Sequence, residues 1–404
     1  MLNPRLKDLI PYPFERLTAL LAGLAPPPGT EPILMSLGEP RHEPPAFVAE
    51  TLAAAAADWG RYPPLRGTPE FRAAVADWLT ARFALPEGFI TADAHVLPVA
   101  GTREAIFMFA LAAVPPEAAD GPGGRPLVLV PNPLYHVYSG AAVMAGAEPV
   151  FLPATAETGF LPDFTGLDGA VLHRTALVYL CSPSNPQGAA VPLADLRALI
   201  GLAMDHDFIV AVDECYSELY FEAAPPGALE AAASFGGRAR EALNHVVVFN
   251  SLSKRSSAPG LRSGFIAGGP DLIEAFAALR NFASVQSPLP VIAAAEKLWR
   301  DEAHVTAGRR RYREKLDLAD RTLDGQFGFY RPDGGFFLWL DVGDGMDATR
   351  RLWTEAGLRV LPGSCLCPPG EALGRPGAAY IRLALVHEPD TIAEALHRLK
   401  RVLN

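Results

Sequence analysis

Lys254 has the most telling chemical setting in the chain: it lies in the segment SLSKRSSAPGLRSG (251–264), directly after the apolar run Val246 to Asn250. A lysine at a strand's end among hydroxyls and glycines does not belong to a solvated helix face. Its amine is the side-chain group that forms Schiff bases with carbonyls, and partial desolvation or a neighbouring cation such as Arg262 lowers its pKa enough to make it nucleophilic. Ser251, Ser253 and Arg262 suit a phosphate monoester. Read by itself, the segment also fits a structural lysine in a serine-rich turn.

The run IVAVD (209–213) places Asp213 at the carboxyl end of a buried strand, the edge where α/β sheets bind ligands. An unpaired buried carboxylate is costly, so Asp213 requires a cation. A pyridinium N–H is one such cation, and the pair would keep the ring an electron sink; capping of the following helix is the plainer alternative. Two further strand ends face the same edge. Val96 to Val99 runs into Gly101, Thr102 and Arg103, and the backbone N–H groups of Gly101 and Thr102 open an apolar helix as an anion site. Ala176 to Leu180 runs into CSPSNPQG (181–188), where Asn185, flanked by prolines, can donate to a phenolate oxygen. Tyr135 follows the run Leu127 to Val130 and can stack on a flat heteroaromatic ring. Arg382 stands alone in the apolar stretch YIRLAL (380–385), which calls for a bidentate carboxylate or an internal ion pair. Each of these residues taken singly also fits an ordinary turn or core contact.

Positioning them requires a sheet whose strand ends converge. The short apolar runs named above, with Phe265 to Ala267, alternate with helical patterns at Arg103 to Ala113, Val137 to Ala145, Leu193 to His206 and Asp271 to Phe282, which predicts an α/β fold with a mainly parallel sheet. After Pro290 the pattern changes to one long amphipathic segment reaching about Asp324, then strands at Phe336 to Asp341 and Tyr380 to Val386 with helices after each. The expected organisation is an N-terminal arm (1–45) against a smaller α+β domain (291–404), with the large ligand-binding domain at 46–290. The glycines of DGPGGRP (120–126) follow no strand, so this turn is not a dinucleotide fingerprint.

Composition narrows the partners. The net charge of −10 and the absence of a Lys/Arg run longer than Arg309-Arg310-Arg311 argue against nucleic acid. No segment approaches the ~18 apolar residues of a membrane span, and the expected location is the cytoplasm. Cys181, Cys215, Cys365 and Cys367 lack metal-site or redox spacing and read as buried or loop thiols, so no metal is expected.

Taken together and in this order, the motifs resemble the class I/II aminotransferases of pyridoxal phosphate fold type I, over nearly the whole chain. The resemblance implies that cofactor, with Lys254 as its Schiff-base lysine, Asp213 as partner of the pyridine nitrogen and Tyr135 as the stacking aromatic. Asn185 and Tyr216, the latter in DECYSELY, are similar to the donors to the phenolic oxygen; Gly101, Thr102, Ser251, Ser253 and Arg262 to the phosphate cup, with Arg103 beside them among the cofactor contacts. Arg382 is similar to the arginine that grips the substrate α-carboxylate, and Gly38, in LGEP, to a backbone position touching the same group. Tyr62, in RYPPLRGTPEFR, is similar to the tyrosine that reaches the phosphate of the neighbouring subunit, which implies a homodimer acting on amino acids and 2-oxo acids. One departure is Gln187-Gly188, where many relatives have Thr-Gly; the positioning Asn-Pro pair is retained.

Within that family NPRLKDLIPYPFERLTALLAG, DECYSELYFEAAPPGALEAA and SLSKRSSAPGLRSGF are similar to succinyldiaminopimelate transaminases. This implies ping-pong exchange between N-succinyl-LL-2,6-diaminopimelate and 2-oxoglutarate, with Lys254 as acid and base; Arg41 is a candidate for the distal carboxylate, against the reading of a solvated loop arginine. Other readings are an aspartate-, alanine- or aromatic-type aminotransferase, a carbon–sulfur lyase on the same scaffold, or a non-catalytic ligand sensor.

Overall fold

The structure, a computed structural model, describes residues 2–115, 124–283, 285–370 and 375–404; most of the DGPGGRP turn lies outside them. In chain order the strands are β1 (Ile33–Leu34), β2 (Val96–Val99), β3 (Leu127–Asn132), β4 (Glu148–Pro153), β5 (Thr175–Cys181), β6 (Ile209–Asp213), β7 (Val246–Ser251), β8 (Gly264–Gly268), β9 (Phe337–Asp341), β10 (Leu358–Arg359), β11 (Leu361–Pro362) and β12 (Tyr380–Ala384). Seven of them form one sheet in the order β2-β8-β7-β6-β5-β3-β4, in which β8 alone runs against the others.

The apolar runs are continuous because both faces of this sheet are covered. Successive side chains of a strand point to opposite faces, and in β7 Val246 and Val248 enter one core while Val247 and Phe249 enter the other. Val210 and Val212 of β6 divide from Ala211 in the same way. The edge strand β4 is half-exposed and carries no such run, which is why the apolar pattern does not reveal it.

The smaller unit packs β11-β12-β9, all antiparallel, and the parallel pair β1-β10 around a third core with helices Ala303–Leu323, Gly345–Ala356 and Pro389–Leu403. Two expectations are corrected here. The single amphipathic segment after Pro290 is two helices, Leu289–Arg300 and Ala303–Leu323, and the first buries Ile292, Leu298 and Trp299 in the large core, where Trp299 lies 4.9 Å from Trp78. The change of core therefore falls at Asp301–Glu302 and not at residue 290. The break is specific: Asp301 Oδ2 accepts the free His304 N–H (3.1 Å) in the first turn of the second helix, while buried Arg255 donates to Leu298 O (2.7 Å) at the end of the first, where a cation suits the helix terminus. The arm is likewise divided. Residues Pro13–Leu20 and β1 pack on the small unit, but Arg5 donates to Met144 O (3.3 Å) on helix His136–Ala145 of the large one.

Candidate active site

Lys254 sits in one helical turn, Leu252–Arg255, set directly on the end of β7; Ser251 Oγ accepts the Ser253 N–H (3.1 Å) and starts the turn. The Lys254 Nζ donates to Gly38 O at 2.6 Å and lies 5.4 Å from the Phe336 ring centroid. Burial in this setting pushes its pKa down to about 8, and the Arg382 charge acts in the same direction. A Cβ on Gly38 would come within 2.5 Å of the Phe337 ring, so only glycine brings that carbonyl to the amine without displacing an aromatic.

Asp213 closes β6, between the ends of β5 and β7. Its Oδ1 accepts the Cys215 backbone N–H and its Oδ2 the Tyr138 hydroxyl, both at 3.1 Å. Burial raises its pKa, and those two hydrogen bonds work against the rise. No described side chain forms an ion pair with it; the carboxylate is a buried acceptor on a cavity of about 420 Å³, where the charge of Lys254 acts on it from a distance. The sequence reading does not single out Tyr138; its position one helical turn after Tyr135 is the signal that points to it.

The same cavity brings together the other strand-end residues. Thr102 begins helix Thr102–Ala113, with its Oγ1 3.2 Å from Cys215 Sγ. Ser251 Oγ and Ser253 Oγ are 2.8 Å apart, and Arg262, in the left-handed region at φ 54°, donates to Pro259 O (3.0 Å). A Cβ on Gly101 would fall on the Arg262 guanidinium, so the glycine lets that cation close over the turn. Tyr135 accepts from Arg103 Nε (2.8 Å).

From the small unit, β12 delivers Arg382, which donates to Asn185 Oδ1 and Ser36 O, each at 2.9 Å, and stands 4.2 Å over the Phe337 ring; its buried Nε has no partner among the described residues. Burial lowers its pKa to about 10, so it keeps its charge at neutral pH. Because Asn185 Oδ1 is engaged, its amide nitrogen is the end left to donate. Tyr216 lies edge-on to Phe336 and Phe337, and burial holds its hydroxyl protonated, as a donor. Tyr12, Pro13 and Phe14, from the PYPFERL element, form part of the wall.

Two candidates stand apart. Tyr62 is fully exposed (100 %) and does not line the cavity of this chain. Arg41 hydrogen-bonds His387 Nδ1 (3.1 Å) in a second cavity, of about 770 Å³, which shares only Lys254 with the first. The candidacy of Arg41 for the distal carboxylate is not supported by this placement.

The model of the aminotransferase class I and II family matches residues 30–399. The chain belongs to this family. It is 38% identical to an aminotransferase of Neisseria meningitidis Z2491 of known structure, with a TM-score of 0.92 and 100% of both chains covered. It is 31% identical to the LL-diaminopimelate aminotransferase of Syntrophobacter fumaroxidans, over 98% of each chain, and 32% identical to the 4-dedimethylamino-4-oxo-anhydrotetracycline transaminase OxyQ of Streptomyces rimosus, over 90% of this chain and 92% of that one. The protein is a fold type I aminotransferase that depends on pyridoxal phosphate and acts on amino acids and 2-oxo acids. Among the described residues no helix is long and apolar enough to cross a membrane.

Proposed function

We propose that this aminotransferase exchanges an amino group between N-succinyl-LL-2,6-diaminopimelate and 2-oxoglutarate in the cytoplasmic synthesis of diaminopimelate and lysine. The observation that carries this reading is the position of Tyr12, Pro13 and Phe14. The PYPFERL element, similar to that of succinyldiaminopimelate transaminases and unnecessary for the chemistry itself, walls the cavity that contains Lys254. The 31% identity to an LL-diaminopimelate aminotransferase supports the same carbon skeleton.

The donor set fits the cofactor. Asp213, a buried carboxylate with no ion-pair partner among the described residues, matches a pyridinium N–H; Thr102, Ser251, Ser253 and Arg262 surround a place for a phosphate beside the Gly101 turn; Tyr135 offers a ring face, and Asn185 and Tyr216 offer donors to a phenolic oxygen. When bound, the cofactor takes up the electron pair left as the substrate Cα loses its proton. The residues of the chain do the rest. Arg382 would hold the α-carboxylate with its guanidinium fork; the Lys254 amine would take the Cα proton as base and return it as general acid; Asp213 would keep the ring nitrogen protonated.

The pKa of Lys254 gives this assignment a pH signature. An amine attacks a carbonyl only when unprotonated, so the rate at which cofactor-stripped protein captures pyridoxal phosphate should rise with pH through about 8 and then level off. Stopped-flow absorbance measures it, and a rate that keeps climbing to the ordinary lysine value of 10.5 contradicts the assignment.

The substrate is tested by comparing kcat/KM of the succinylated compound with aspartate, alanine and phenylalanine, each as donor to 2-oxoglutarate. Equal use of any of the three sinks the lysine-pathway reading and leaves the aminotransferase intact. Unacylated LL-diaminopimelate belongs in the same panel, because the relatives named for it favour a second reading in which the succinyl group is absent. The exposure of Tyr62 fits a homodimer in which it reaches the partner's phosphate; a fully active monomer by mass photometry would remove that role.

A further inference from the structure

The second cavity, of about 770 Å³, carries a set of side chains that transamination does not use. Ser256, two residues after Lys254, has its Oγ 2.8 Å from His304 Nε2, and His304 Nδ1 is hydrogen-bonded to Asp301 Oδ2. A carboxylate only accepts, so Nδ1 is the protonated nitrogen and Nε2 is left as an acceptor for the Ser256 hydroxyl. Burial lowers the His304 pKa against the pull of Asp301, which keeps the ring neutral and able to take a proton at neutral pH. An edge contact with Phe47, centroids 6.4 Å apart, steadies the ring. Hydroxyl, imidazole and carboxylate thus stand in the order that activates a serine as a nucleophile.

A tie between the lysine-bearing turn and the start of helix Ala303–Leu323 needs the same contacts but no opening. Here there is one: Ser256, though buried, lines the cavity together with Ser257 and His304. His304, Ala307, Gly308 and Arg311 lie on one face of that helix, and a Cβ on Gly308 would meet nothing within 4 Å, so there is open space one turn from the imidazole. The Ser257 N–H has no acceptor among the described residues and follows the serine at the cavity wall, the chain position from which a backbone amide steadies an oxyanion.

Charge limits what the cavity takes. Arg41, Arg311 and Lys315 line it with Glu43, Glu314 and Glu388; Arg255 is paired with Glu302, and Lys254 belongs to the cofactor in the loaded enzyme. His42 is neutral, its pKa lowered to about 4 by burial and by the Lys315 charge. No surplus is left to hold an ionic ligand.

We propose that Ser256, His304 and Asp301 form a second catalytic site, which hydrolyses esters of short, uncharged acyl groups. Ser256 Oγ bonds to the acyl carbon as the ester C–O bond breaks, and the hydroxyl proton passes to His304 Nε2 and on to the departing alcohol. Water then attacks the acyl-serine, its proton returns through His304 to Ser256 Oγ, and the carboxylic acid leaves. Asp301 holds the imidazole in its tautomer and receives no proton. The site is independent of which amino acid the enzyme transaminates.

The test uses the pyridoxal phosphate-loaded enzyme after borohydride reduction, which blocks the Lys254 amine. Diisopropyl fluorophosphate, followed by mass spectrometry of the peptides, should modify Ser256 in wild type and not in His304→Gln. Release of p-nitrophenol from its acetate ester should fall about a hundredfold in Ser256→Ala, by a similar factor in His304→Gln, and no further in the double variant, because the members of such a relay act as a unit. Gly308→Leu, which fills the space beside the imidazole, should slow the butyrate ester more than the acetate. A thermal melt and the absorbance of the bound cofactor identify any variant that fails to fold, and the labelling of wild type needs no variant. An unmodified Ser256, or p-nitrophenol release unchanged by either substitution, would overturn the proposal and leave the three residues as a tie between turn and helix.

Discussion

Lys254→Ala is expected to remove the absorbance band of the lysine-bound cofactor and to lower turnover at least about ten-thousand-fold, because one side chain supplies both the covalent tether and the proton carrier. No neighbour can take over. Arg382 keeps its charge at neutral pH, and the buried Tyr216 hydroxyl is held protonated by its desolvation. The fold should tolerate the change, since the turn that carries Lys254 is started by Ser251 and Ser253, and the hydrogen bond lost is the one to Gly38 O. A thermal melt close to that of wild type, with turnover gone, is the expected pair of results. Transamination at the wild-type rate would show that the amine at the end of β7 is not the reacting group.

Asp213→Asn should cost turnover by roughly a thousandfold while leaving the protein folded. The carboxylate now accepts two hydrogen bonds, one on each oxygen. An amide oxygen can still accept the Cys215 N–H, and the Tyr138 hydroxyl can turn to accept from the new amide nitrogen, so the local network survives. What is lost is the negative charge. A neutral amide cannot hold a pyridine nitrogen protonated, and the ring then takes up the Cα electron pair poorly. Steady-state kcat and the pH at which the bound cofactor changes its spectrum are the two measurements. Near-normal activity in the variant would assign Asp213 to capping the turn after β6 instead.

Much of this site is legible in the amino-acid sequence, for a physical reason that is local. A strand buried on both faces must be apolar for its whole length, so a polar residue at its end is conspicuous. Asp213 after IVAV and the hydroxyl-rich turn of Lys254 after VVVFN stand out on that ground, and the carboxyl ends of parallel strands meet at one edge. The α/β class follows from the same alternation of short apolar runs with helical ones. What lies beyond the sequence is every contact between segments far apart along the chain. Gly38 O reaches Lys254 across 216 positions and Arg382 reaches Asn185 across 197, and neither pairing leaves a periodic signal in either segment. The helix Leu289–Arg300 is amphipathic whichever core receives it; only the fit of Trp299 against Trp78 and Phe265 decides that it joins the large one. Arg103 stands beside the phosphate turn in the sequence, and only the folded chain brings Tyr12 of the N-terminal arm against it. Local composition determined which residues sit at the ligand edge, because burial of a strand is enforced residue by residue. Tertiary structure alone decided which of them touch, because those contacts are selected by the packing of the whole chain.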